Sequence, residues 1–365
     1  MKHPLLFFPL LAAVLVAVFG CEAGRDKAVT GDYFDRTRGE PQDTTAVFNS
    51  VKSFGGAFSY PSTALAGTYG ETSAFAVFKF AKPTPSVVEG LQKVRVKFYV
   101  DSLWVEGGRT FGLWSTTTDW TDTTRLDRDY YLGGLGAPLA TWSDNADTMT
   151  FDLDGQEAAD LVKSWGTYGA FLLKEAPGAR AMANVYTAFS SLIPTIEYIG
   201  ASDTTRINSN SSMYAFDTGY GEPFPVRTGV LSDGNAEGFV LYLSLPDSFP
   251  RTNTVNGGTL VLPIVQNEIP RGETMTIEVK MLTAGFTTLS SAEINSNYIS
   301  DYTISPTDAK IEVDITKILS VWTAVKASNY GILFKSTKTG TSPAQIVLAP
   351  PDSVIITYTT IPEVK

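Results

Sequence analysis

The chain has 365 residues, 43% hydrophobic and 18% charged: enough apolar material for more than one packed core, and too little charge for a disordered polymer. Lys and Arg number 28 against 38 Asp and Glu, and the resulting formal charge of −10 argues against a nucleic-acid partner. The single His (His3) and single Cys (Cys21) lie near the start, so everything beyond them excludes Ser/His/Asp triads, Cys/His dyads, His-ligated zinc and disulfides.

Met1-Lys2-His3 gives a short positive start, and an apolar run follows from Leu5 to Gly20. The run is shorter than the ~20 residues a spanning helix needs and has the length of a signal-peptide core. It ends in Val18-Phe19-Gly20-Cys21, which resembles the bacterial lipobox. That resemblance implies cleavage before Cys21, lipidation of its thiol and a membrane anchor. Glu22 follows the Cys, which implies a lipid-anchored place in the bacterial envelope, at the outer membrane if the cell has one. Residues 1–20 are thus read as signal peptide and 21–35 as tether.

The remainder repeats itself. Phe151-Asp152-Leu153, Leu161-Val162, Trp165 and Tyr168-Gly169 are answered in order by Val313-Asp314-Ile315, Ile318-Leu319, Trp322 and Tyr330-Gly331, at a spacing of about 160 residues. Upstream, Gly70 and Phe75 are answered by Gly234 and Phe239. The spacing predicts two copies, 36–200 and 201–365. Alternating apolar runs predict strands over 74–80, 94–100, 238–245, 274–282 and 354–358, with Gly and Pro punctuation between them. One short helix is expected per copy, over 156–164 and 316–325, each behind a carboxylate suited to cap it. Many strands and no βαβ alternation give the expected fold class: all-β, two tandem antiparallel jelly-roll β-sandwiches.

The order of these motifs, from the "V-x-V-x-F-Y-V" strand through "F-D-L…L-V-x-x-W…Y-G-A-F-L-L" to the closing "P-x-I-x-Y", resembles the DNRLRE family of bacterial surface and secreted proteins. The resemblance implies a jelly roll related to carbohydrate-binding modules. It covers most of 40–199 and, more weakly, 203–360. Its motifs are mostly fold-forming.

Five of the six Trp fall in the first copy. Trp165 and Trp322 recur in both copies and are expected in the cores, and Trp114 and Trp120 are expected to plug large loops. Trp104 and Trp142, with Tyr130 and Tyr131, are the candidate ligand-stacking residues, with core plugging as their alternative. Asp119, Asp122, Asp127, Asp129, Asp144 and Asp147 read as solvated turns, and Asp144 to Asp147 lacks the Gly and distal Glu of a calcium loop. No cofactor is expected. Three functions stay open: a lipid-anchored binder of polysaccharide or glycan, a non-catalytic structural or adhesive spacer among other surface proteins, and a polysaccharide-cleaving enzyme working through two carboxylates.

Overall fold

The computed structural model describes residues 47–54, 58–59, 62–116, 132–217, 229–234, 238–244, 254–284, 294–324, 329–338, 340–349 and 354–359. The chain is all-β, with antiparallel sheets. In chain order the first strands are β1 (Val47–Phe54), β2 (Phe58–Ser59), β3 (Thr63–Tyr69), β4 (Thr72–Ala81), β5 (Leu91–Val105), β6 (Phe111–Thr116), β7 (Ala140–Trp142), β8 (Thr148–Asp154), β9 (Tyr168–Glu175), β10 (Ala181–Tyr186), β11 (Thr195–Gly200) and β12 (Thr204–Asp217). They continue as β13 (Gly229–Ser232), β14 (Gly238–Ser244), β15 (Thr254–Asn267), β16 (Met275–Leu282), β17 (Ile294–Ile304), β18 (Lys310–Asp314), β19 (Ile332–Ser336), β20 (Gln345–Leu348) and β21 (Val354–Thr359). Three helices are described: α1 (Pro85–Glu89), α2 (Gly155–Ser164) and α3 (Thr316–Ala324). Among the described residues the first half therefore holds α1 as well as the one helix the sequence predicts. Proline at the start of α1 presets its φ and gives up an amide that would have no partner there.

The two halves repeat one pairing scheme. In the first, β4–β9–β6–β7 form one layer and β3–β10–β5 with β8 and β11 the other, and the short β3–β4 pairing over Gly67–Tyr69, with β12, joins the two into one continuous sheet. In the second, β14–β19–β16–β17 correspond to the first layer and β13–β20–β15, with β18 and β21, to the second. Each pair of layers encloses its own core. One contains Phe78, Phe98, Phe111, Phe151, Trp165 and Tyr198, the other Phe239, Ile277, Leu319, Trp322 and Phe334. Trp165 and Trp322 are both buried, as their recurrence predicts.

β5 is buried at alternate residues through Val94, Val96 and Phe98, so one face meets the core and the other meets solvent. β4 is apolar almost throughout because both of its faces are covered. Behind it, Phe75, Val77, Trp114, Leu172 and Met213 form a second cluster under Leu132 and Leu135. Trp114 lies on β6, where it pairs opposite Leu172, rather than in a loop; it caps this cluster and donates its Nε1–H to the Gly136 carbonyl at 2.9 Å. Gly169 is required by close approach: a Cβ there would lie 2.0 Å from the Trp165 ring.

The layers do not separate at residue 200. β12, which begins beyond that point, pairs with β11 over Thr204 to Asn208 and then with β4 over Ser209 to Asp217. It places Tyr214, wholly buried, in the first core. At the other end of the sequence, β1 pairs with β14 and completes the second half's layer. The division into 36–200 and 201–365 is therefore corrected by the pairing: each half is completed by a strand from the other side of that division. The physical reason is a tight reversal. The Gly200 N–H donates to the Asp203 carbonyl, so the chain turns straight back along β11 instead of leaving for the second half. Below, "unit one" means β2–β12 and "unit two" means β13–β21 with β1.

Candidate functional site

The solvent face of β5 carries a charge ladder built by strand register. Asp152, Arg95, Glu197 and Arg206 stand opposite one another across β8, β5, β11 and β12. Arg95 reaches Asp152 through Nε at 2.7 Å, and Lys97 reaches Glu197 at 2.8 Å. Arg206 also pairs with Glu197. Hydrogen bonds from Arg95 hold the Asp152 carboxyl below its ordinary range. For Glu197, burial pushes upward, but donors from Lys97 and Arg206 outweigh it and keep the group low. Asp152 thus serves the sheet face rather than capping α2. Asp154 does not cap that helix with its side chain either, but pairs with Lys93 at 3.2 Å. Asp314 does act at a helix start, accepting from the Thr316 N–H at 2.9 Å. A face whose charges are mutually consumed offers little to a ligand.

The four candidate stacking residues do not converge on an open face. Trp142 is 6% exposed, in the first core, with its ring 6.2 Å from that of Phe111. The stacking assignment for Trp142 is corrected accordingly: β7 pairs Trp142 opposite Phe111, which turns the indole inward. Trp104 is half-buried, and its Nε1–H donates to Glu273 Oε1 of unit two at 2.5 Å. Tyr130 and Tyr131 lie outside the described residues, as does Trp120.

Trp104 belongs instead to a polar junction between the units. Glu273 accepts there a second bond, from the Ser342 hydroxyl at 2.9 Å. Asn184 donates to the Thr341 carbonyl at 3.2 Å, and Thr63 donates to the Gly340 carbonyl at 3.2 Å. The Tyr214 hydroxyl donates to the Gly234 carbonyl at 2.6 Å inside the protein. The turn between β3 and β4 presents the Glu71 N–H to the Glu268 carboxylate, 3.2 Å from each oxygen. Gly340 has φ +71°, and a Cβ on it would lie 2.6 Å from the Tyr214 oxygen, so both backbone shape and space call for glycine.

The junction concentrates carboxylates. Burial raises Glu268, and Tyr69 is raised by burial and by the charges of Glu106, Glu273 and Glu268. Asp233, fully buried, is pushed up to about 6 by burial, which outweighs the bond it accepts from Ser336. Its Oδ2 has no hydrogen-bond partner among the described residues. No group of three or more potential metal ligands is found among the described residues. These junction carboxylates carry no local sequence signal, because their role exists only once the two units meet.

Asp233 yields a pH prediction. Its folded-state pKa lies above the ordinary 3.8, so the folded chain holds the proton longer than the unfolded chain does. Its contribution is complete below pH 3.8 and is lost as pH rises through about 6, a swing of about 3 kcal/mol at roughly 1.4 kcal/mol per unit. Denaturant titrations from pH 4 to 7 should show Asp233→Asn losing this decline and exceeding the parent in stability at pH 7. An unchanged difference between the two proteins across that range would contradict the assignment.

No helix among the described residues is long and apolar enough to cross a membrane. No family model, no curated protein and no solved structure matches the chain.

Proposed function

We propose that the protein is a lipid-anchored, non-catalytic structural or adhesive component of a bacterial cell surface. The observation that carries this reading is the joining of the two units. One strand, β1, precedes unit one in the chain but pairs into unit two, and side chains bridge the units at Trp104–Glu273, Asn184–Thr341 and Tyr214–Gly234. Flexible tandem binding modules need no such stitching. A part that bears load or sets a distance does, because drawing its halves apart requires breaking the β1–β14 pairing as well as surface contacts. The polysaccharide-binding reading relied on aromatics in copy one. Trp142 packs the core and Trp104 holds the junction, which removes two of its four anchors. The anchor itself rests on Cys21 at the lipobox position.

Two measurements test the reading together. Cys21→Ser should release the protein from the membrane fraction of the producing cells. Residues 22–365 on a glycan array should retain no glycan above background. Membrane retention of the variant would remove the anchor. A glycan whose binding is abolished by Trp104→Ala would restore the binding-module reading.

A further inference from the structure

We propose that β1 is an exchangeable strand, and that the β1 of one chain docks on β14 of a second copy, linking neighbours through the same pairing that closes a single chain. The proposal rests on the surface-scaffold reading for its biological use and on the topology for its physics. β1 is the edge strand of its layer, in the order β1–β14–β19–β16–β17, and among the described residues β14 is its only strand partner. Covalently it belongs to the other unit: it runs directly into β2, which pairs with β12 over Phe58 and Ser59. In sequence only Gly55-Gly56-Ala57 stands between them. A strand joined to one body and paired with another meets the geometric condition for swapping, since a second chain supplies identical contacts.

The two strands that lie across residue 200 from the half they complete are not equivalent. β12 is tied along both layers of unit one, to β11 and to β4, and buries Met213 and Tyr214. Among the described residues β1 pairs along one strand only, from Val47–Ser244 to Phe54–Gly238, and its register slips between Phe48 and Val51. Of the two, β1 is the one able to leave. A vacated β14 would present open backbone groups above a core strand bearing Phe239, Leu241 and Leu243. Such an edge demands another strand, and main-chain pairing of this kind is an established mode of binding an extended segment. A chain of the length from Cys21 to Val47 reaches at most roughly 85–95 Å. That is far enough for the β1 of an anchored molecule to meet a neighbour in the same membrane.

The test uses residues 22–365, which contain no cysteine. Val47 and Ser244 are Cα partners across the pairing. A Val47→Cys chain is mixed with a Ser244→Cys chain, unfolded and refolded together in a glutathione redox buffer. A parallel mixture replaces the second chain with Thr357→Cys, an exposed position on β21 away from the β1 pairing. The expected result is at least tenfold more mixed-chain disulfide at 244 than at 357. One chain carrying both Val47→Cys and Ser244→Cys should close internally. Equal yields at 244 and 357, or no mixed disulfide while the double variant closes, would overturn the exchange. Failure of the double variant to close would overturn it too, by showing that β1 does not lie on β14. If exchange fails while Cys21→Ser still releases the protein and the glycan array stays blank, the scaffold reading survives without chain linkage.

Discussion

Cutting the chain between residues 200 and 201 should leave a first fragment without a cooperative unfolding transition, whereas ending the same fragment at residue 217 should restore one. The difference is β12. A fragment ending at 200 loses the partner of β4 over Ser209 to Asp217 and that of β11 over Thr204 to Asn208. It also loses the buried side chains of Met213 and Tyr214. Removing one large buried aromatic alone costs about 3–5 kcal/mol, and a domain of this size has only about 5–15 kcal/mol to lose. The fragment 58–217 keeps every described strand of unit one. Thermal melts followed by near-ultraviolet circular dichroism separate the cases. Equal, cooperative melts for fragments ending at 200 and at 217 would show that β12 is dispensable and would return the boundary to residue 200.

Trp142→Ala should destabilise the chain by about 3–5 kcal/mol, as truncation of a buried aromatic does. The indole is 6% exposed and packs on Phe111 at the end of the β6–β7 layer. β7 is only three residues long, so the loss falls on a strand with little other support. Trp104→Ala should cost less, because Trp104 is half-buried and leaves Glu273 with its bond from Ser342. Chemical denaturation of both variants checks the order. A Trp142→Ala change below about 1 kcal/mol would show that the side chain is not a core element.

Much of the fold was legible because it is written in local periodicity. β4, β5, β14, β16 and β21 fall on the alternating runs, and α2 and α3 on the segments with recurring Trp. The recurring landmarks fall on matching pairings, β4–β9–β6–β7 and β14–β19–β16–β17, because the same apolar positions line each core. The helix α1 was not, since five residues behind Thr84-Pro85 show no period. The exchange of strands was not legible either. β12 reads Thr-Thr-Arg-Ile-Asn-Ser-Asn-Ser-Ser over its first nine residues, a polar stretch that the surface of a sheet accepts as readily as a linker would. Which sheet a strand joins is decided by turn closure and by the partners on offer, and neither appears in the strand's own pattern. The aromatic candidates failed at Trp142 for a related reason: composition counts tryptophans, but register decides which way they face. Trp104 shows the same limit, since its partner Glu273 stands 169 residues away.

Each unit is completed by a strand from across residue 200, and hydrogen exchange reports on those pairings strand by strand. Amides paired in a sheet exchange only when that sheet opens. Peptide-resolved exchange is followed for residues 22–365 and for a chain that starts at residue 55. Slow exchange is expected over 47–54 in the longer chain, and in the shorter chain a loss of protection over 238–244 with 72–81 unchanged. Unfolded-chain exchange rates over 47–54, or unaltered protection of 238–244 after their removal, would contradict it.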